Sequence, residues 1–162
     1  RDEYIETINK LKEIRPGISI SSDFIVGFPG ETEEDFQDTL DLTDEVEYDE
    51  SFSFIYSPRP NTTAKDLEDT VSPQEKKERL DRLQTKLEQS ALSISRRMVG
   101  EVSNSLVTGV SKKDPGEFQA RTENNKVVIF SCDDQSLIGN FVPVEIVEAK
   151  TKSLRGIYRP EC

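Results

Sequence analysis

The 162-residue chain contains no histidine, no tryptophan, one methionine and two cysteines. The cysteines, Cys132 and Cys162, form no CxxC or CxxxCxxC set. With histidine absent as well, the usual nitrogen and sulfur ligands are missing, so no metal or cluster site is expected from this chain alone. Two cysteines make no disulfide framework and read as incidental, which points to a reducing compartment. No apolar run approaches the ~20 residues of a membrane span, and no signal-peptide pattern occurs. A cytoplasmic location without membrane contact is the resulting expectation. The chain opens at Arg1 inside a helical pattern, and its one methionine is Met98. It is therefore expected to be a piece of a longer protein.

What is abundant is charge, unevenly spread. The net charge is −11. Residues 1–93 carry 11 basic and 23 acidic side chains, whereas residues 94–162 carry 10 and 9. The acidic first part would repel phosphates and argues against nucleic-acid binding there. The balanced second part leaves room for a basic patch.

Ile5, Ile8, Leu11 and Ile14 recur at helical spacing over residues 2–14, and Pro16-Gly17 ends that helix. Residues 18–26 read as a buried strand, closed by the turn Gly27-Phe28-Pro29-Gly30. Thr32, followed three residues later by Asp35, is a candidate N-cap for a second helix whose apolar face holds Phe36, Leu40 and Val46. Phe52, Phe54 and Tyr56 alternate as a second strand, with Phe52 and Phe54 assigned to the core. Ser72-Pro73-Gln74-Glu75 opens a third helix that should run roughly 25 residues, to about Arg97.

After Met98 the helical period stops. Short β-rich segments follow at Glu101–Thr108, Phe118–Thr122, Lys126–Phe130, Phe141–Glu148 and Leu154–Tyr158. Turn residues separate them, which predicts a small five-stranded OB-like barrel. The fold class is therefore α/β followed by all-β, with a boundary between residues 1–97 and 98–162. The first part supplies two βα units of something larger. Its uncovered sheet edge invites pairing with a second copy, or partial disorder of residues 1–60.

The turn after the first strand lies where parallel α/β folds place ligands. Its glycines permit close backbone approach. A P-loop is excluded, because Glu31, Glu33, Glu34 and Asp35 follow where Lys-Ser/Thr is required. Those carboxylates favour a ligand with a positive centre and no phosphate, as in S-adenosylmethionine (SAM). A purely structural turn is the alternative from the residues alone.

Ser21 to Phe36, with the run Gly27-Phe28-Pro29-Gly30-Glu31-Thr32, resembles the late-barrel segment of radical SAM methylthiotransferases. Tyr56-Ser57-Pro58-Arg59-Pro60-Asn61-Thr62 resembles the YSxRPGT loop of that family, with Asn61 in place of glycine. Ser111-Lys112-Lys113-Asp114-Pro115 and Arg121 to Val128 resemble the branch that modifies tRNA. The branch that modifies a ribosomal protein usually lacks the latter stretch. The resemblance implies the end of a partial TIM barrel followed by a TRAM RNA-binding domain. It implies a parent enzyme that adds a methylthio group to N6-isopentenyladenosine beside the anticodon. SAM and two 4Fe-4S clusters would serve that parent, with the clusters held by N-terminal domains outside this chain. The fragment alone would hold no cofactor and be inactive.

Residue by residue, the resemblance implies SAM contacts from Ile25, Gly27, Pro29 and Gly30. Asp23 stands where the broader motif has its first glycine, and Glu31 comes one position late. Arg59 could meet SAM's carboxylate or an RNA phosphate. Lys112, Lys113, Arg121, Asn124, Asn125, Lys126 and Arg155 are the candidates for gripping a tRNA anticodon stem-loop, with Lys150 and Lys152 extending the patch. Two rival functions stand beside this one: a methylthiotransferase acting on a ribosomal protein, and a stand-alone RNA-binding module.

Overall fold

The computed structural model describes residues 1–160. The chain divides into two compact units, Arg1–Ala91 and Leu92–Cys162.

In the first unit, α1 spans Asp2–Ile14, β1 Asp23–Val26, α2 Glu33–Val46 and β2 Phe52–Ile55. A third helix, α3, begins here and spans Pro73–Arg97. Both predicted capping boxes form. The Thr32 hydroxyl accepts from the Asp35 N–H, and the Asp35 carboxylate accepts from the Thr32 N–H. At α3, Ser72 and Glu75 do the same. Each box satisfies donors that a helix start leaves unpaired.

β1 and β2 are parallel, with Asp23 beside Phe52 and Ile25 beside Phe54. One face of β1, carrying Phe24 and Val26, packs with Ile8, Phe36, Leu40, Val46, Tyr48, Leu83 and Leu87 into the core. β1 is shorter than the predicted strand. Residues 18–20 satisfy their polar groups through the loop before β2 instead: the Ile20 carbonyl accepts from Asp49 N–H, and Ser19 Oγ donates to the Asp49 carboxylate.

Phe52 and Phe54 are not core. They are 67% and 54% exposed. The register puts them on the face shared with Asp23 and Ile25, opposite the face that Phe24 and Val26 turn to the helices. Period-2 alternation identifies two faces but does not say which one is covered.

The second unit holds five strands: β3 Val102–Val110, β4 Glu117–Arg121, β5 Val127–Ser131, β6 Phe141–Ala149 and β7 Leu154–Tyr158. They close into a barrel in the order β3-β4-β5-β7-β6. All neighbours are antiparallel except β5 and β7. Closure removes the sheet edges. Bulges interrupt the ladder between Val107 and Gly109 and between Ile146 and Glu148, which adds the local bend and twist that closure requires. Alternate residues fill the interior, among them Phe118, Val128, Phe130, Val144 and Ile146. Gly156 is dictated by this packing: a Cβ there would run into Val144 Cγ1 and lie 3.0 Å from both the Glu145 carbonyl and Val128 Cγ2.

Candidate functional site

The turn after β1 is built by glycine and held by charge. Gly27 (φ +70°) and Gly30 (φ +86°) adopt the left-handed conformation. The Gly27 N–H donates to Glu31 Oε2 at 2.8 Å. Arg79 of α3 donates to the same Glu31 oxygen at 2.8 Å and to the Glu31 carbonyl at 3.0 Å. Both side chains are nearly buried, Arg79 at 7% and Glu31 at 11% exposure. The Arg79 Nε is buried without a hydrogen bond, 3.6 Å from Glu33 Oε2. Lys76, one turn earlier on α3, pairs with Asp69 and runs its aliphatic stem against Gly27, where any Cβ would collide with Lys76 Cγ. Its ammonium holds the Asp69 carboxyl below the usual range, with the Asp69–Val71 backbone bond adding to this. Arg82 pairs with Glu33 and sits 4.7 Å from the Phe36 ring.

This arrangement corrects one expectation. Of the four carboxylates that follow the turn, Glu31 answers Arg79, Glu33 answers Arg82, and Asp35 is spent on the helix cap. The Thr32 backbone N–H, then its hydroxyl, hold the Asp35 carboxyl below its usual range. The acidic run therefore does not present its charge as a group to a cationic ligand. What the turn offers outward is the exposed Ile25 beside Phe54, and the backbone around half-buried Pro29 and exposed Gly30. Arg59 is exposed in the loop beyond β2, at the same end of the sheet, where its carbonyl accepts from Thr62 Oγ1. Lys76 and Arg79 went unnoticed in the sequence, although Lys76, Arg79 and Arg82 at three-residue spacing form a basic stripe on α3.

In the second unit the RNA candidates separate into distinct settings. Lys112 and Lys113 are exposed in the β3–β4 loop. Arg121 ends β4, and its guanidinium donates to the Asn125 carbonyl at 2.7 Å. Asn125 is exposed at φ +62°. Asn124 is engaged at both ends, accepting from Thr122 Oγ1 at 2.6 Å and donating to Met98 Sδ at 3.6 Å. Arg155 pairs with Glu117, and Lys150 lies 3.6 Å from Glu148. Lys126 is withdrawn from the surface at 4% exposure. It shares the parity of Val128 and Phe130, the inward residues of β5, and its N–H is tied to Thr122 Oγ1. Among the described residues no group of three or more His, Cys, Asp or Glu side chains could hold a metal ion. Cys132 is free and half-buried, and Cys162 lies outside the described residues. No helix among them is long and apolar enough to cross a membrane.

Residues 96–158 match the TRAM domain family. Nearly the whole chain is similar to proteins named tRNA-2-methylthio-N(6)-dimethylallyladenosine synthase. Identity is 58% with that of Hahella chejuensis (strain KCTC 2396), over 95% of this chain and 34% of the relative. It is 57% with that of Pseudomonas syringae pv. syringae (strain B728a), over 95% and 35%. It is 56% with that of Saccharophagus degradans (strain 2-40 / ATCC 43961 / DSM 17024), over 96% and 34%. The chain thus spans about a third of the length of the curated relatives it matches. Both units of the chain are similar to a third of the length of proteins named tRNA-2-methylthio-N(6)-dimethylallyladenosine synthase, and its residues 96–158 match the TRAM domain family.

Proposed function

We propose that the chain is the tRNA-gripping part of a cytoplasmic radical SAM methylthiotransferase that modifies N6-isopentenyladenosine beside the anticodon. The observation that supports this reading is the extent of the likeness, since both units align with proteins named tRNA-2-methylthio-N(6)-dimethylallyladenosine synthase. In such an enzyme SAM supplies the methyl group and the radical. The turn fits the edge of a SAM site through Ile25 and the backbone of Gly27, Pro29 and Gly30, with Arg59 at the same end of the sheet. Glu31, itself bonded to Arg79, accepts from the Gly27 N–H and so holds that backbone in place. Among the described residues no group of three or more His, Cys, Asp or Glu side chains is placed to hold a cluster, and the two 4Fe-4S clusters are assigned to domains outside this chain.

The tRNA grip is assigned to the barrel, through Lys112, Lys113, Arg121 and Asn125, with Arg155, which pairs with Glu117, as a further contact. Cations set the phosphate affinity, and the Asn125 amide can meet a base edge or sugar hydroxyl. The test is binding of the chain to an anticodon stem-loop bearing isopentenyladenosine, titrated against salt. Lys112→Ala/Lys113→Ala/Arg121→Ala should weaken binding and flatten the salt slope. No wild-type binding at low salt would remove the assignment. Modification of a ribosomal protein but not of tRNA by the full-length enzyme would sink the substrate reading.

A further inference from the structure

We propose that the outer face of β6, β3 and β4 is a stacking platform for an unpaired RNA base, with Phe141 as the ring and Arg121 as its neighbouring cation. The proposal rests on the reading of the barrel as the RNA-binding unit, and it adds a site that charge alone does not reveal.

The unit has three phenylalanines, and two are core: Phe118 and Phe130 are almost fully buried. Phe141 is 63% exposed. It opens β6 with parity opposite to Val142, Val144 and Ile146, which point inward, so its ring stands on the outer surface. Leu106 of β3 is the register partner of both Phe141 and Arg121. Arg121 in turn is opposite Val127 of β5. Phe141, Leu106, Arg121 and Val127 therefore form one row across four strands. Phe141 and Arg121 lie two strand spacings apart, roughly 9–10 Å between Cα atoms. The half-buried Leu106 lies between them.

The row is free of acidic side chains, in a chain with 32 acidic residues. The adjacent outward positions, Asn104 beside Pro143 and Gln119 beside Ile129, are also uncharged. The nearest acid in the β4–β5 turn is the exposed Glu123. The Arg121 guanidinium is fixed by the Asn125 carbonyl, so little side-chain entropy is lost when it meets a phosphate. An exposed ring flanked by apolar surface and one fixed cation suits a base with its phosphate. Stacking accepts any base, whereas cations recruit the backbone. A duplex offers no free base face, so an unpaired nucleotide is the occupant.

The experiment uses the whole chain and an unmodified anticodon stem-loop RNA over a range of salt. Phe141→Ala and Phe141→Leu should each weaken binding roughly tenfold with the salt slope unchanged. Arg121→Ala should weaken binding and reduce the slope by about one. Because the chain has no tryptophan, Phe141→Trp introduces a single reporter, which should bind as well as wild type and be quenched at saturation. If wild type binds and Lys112→Ala/Lys113→Ala weakens it, yet the Phe141 variants bind unchanged and the tryptophan is not quenched, the platform is wrong while the RNA reading stands. If wild type does not bind at low salt, the RNA reading fails first and the platform with it.

Discussion

The Arg79–Glu31 pair allows a quantitative test of how the ligand-side turn is held. Arg79→Met keeps much of the side-chain volume and removes the guanidinium. Glu31 then loses a 2.8 Å partner to its carboxylate and a 3.0 Å donor to its carbonyl. At 11% exposure water cannot fully replace them. Breaking a buried pair costs about 3–5 kcal/mol. Glu31 keeps the Gly27 N–H, which places the expected loss near the lower end, about 3 kcal/mol. Glu31→Gln should cost less, because an amide oxygen still accepts from Gly27. The double variant should cost less than the sum of the two by at least about 1 kcal/mol, since the groups are in direct contact. The chain has two units, so a single melting curve mixes transitions. Urea-dependent hydrogen exchange over residues 1–91 isolates the relevant one. The same experiment reads the Gly27 amide, whose protection should fall in Arg79→Met. A loss under about 0.5 kcal/mol, with Gly27 protection intact, would refute the account of α3 as the clamp on the turn.

Gly156→Ala should destabilise the barrel by about 1–3 kcal/mol through overpacking against Val144 and Val128, read as a lowered urea midpoint of the second unit; an unchanged midpoint would show that β7 yields. The carboxyls of Asp35, Asp69 and Glu75 are all held below their usual values, by the Thr32 backbone, by Lys76 and by the Ser72 hydroxyl respectively. Lowered values stabilise the fold above about pH 4 and lose that contribution as pH falls through the folded-state values, so the first unit should weaken on acidification, and Asp35→Asn/Asp69→Asn/Glu75→Gln should flatten the pH profile; equal slopes in both proteins would count against these carboxylates as its source. The open face carrying Ile25, Phe52 and Phe54 should make the isolated chain self-associate, with Phe52→Ser/Phe54→Ser shifting it to monomer in sedimentation runs over a concentration series; a wild-type monomer at every concentration would remove the expectation.

Local rules fixed much of this protein in advance. Ser72-Pro73-Gln74-Glu75 and Thr32-Glu33-Glu34-Asp35 start helices because a hydroxyl and a carboxylate three residues apart satisfy each other's backbone donors. The five strands of the barrel follow from turn residues breaking β-rich runs, and their boundaries shift by only a residue or two. These signals act within a few residues, so they can be read without knowing what packs where. Tertiary structure decided the rest. Phe52 and Phe141 look like core residues by type, yet lie outside because exposure depends on which face another element covers. Lys126 looks like a surface cation by type, yet lies inside because parity with Val128 turns it inward. The acidic run after the first strand looks like a cation site by charge, yet much of its charge is answered by Arg79 and Arg82, about fifty residues away along the chain. Sequence determined the elements and the caps; burial and long-range charge pairing, which exist only once the elements pack, decided which side chains remain available for function.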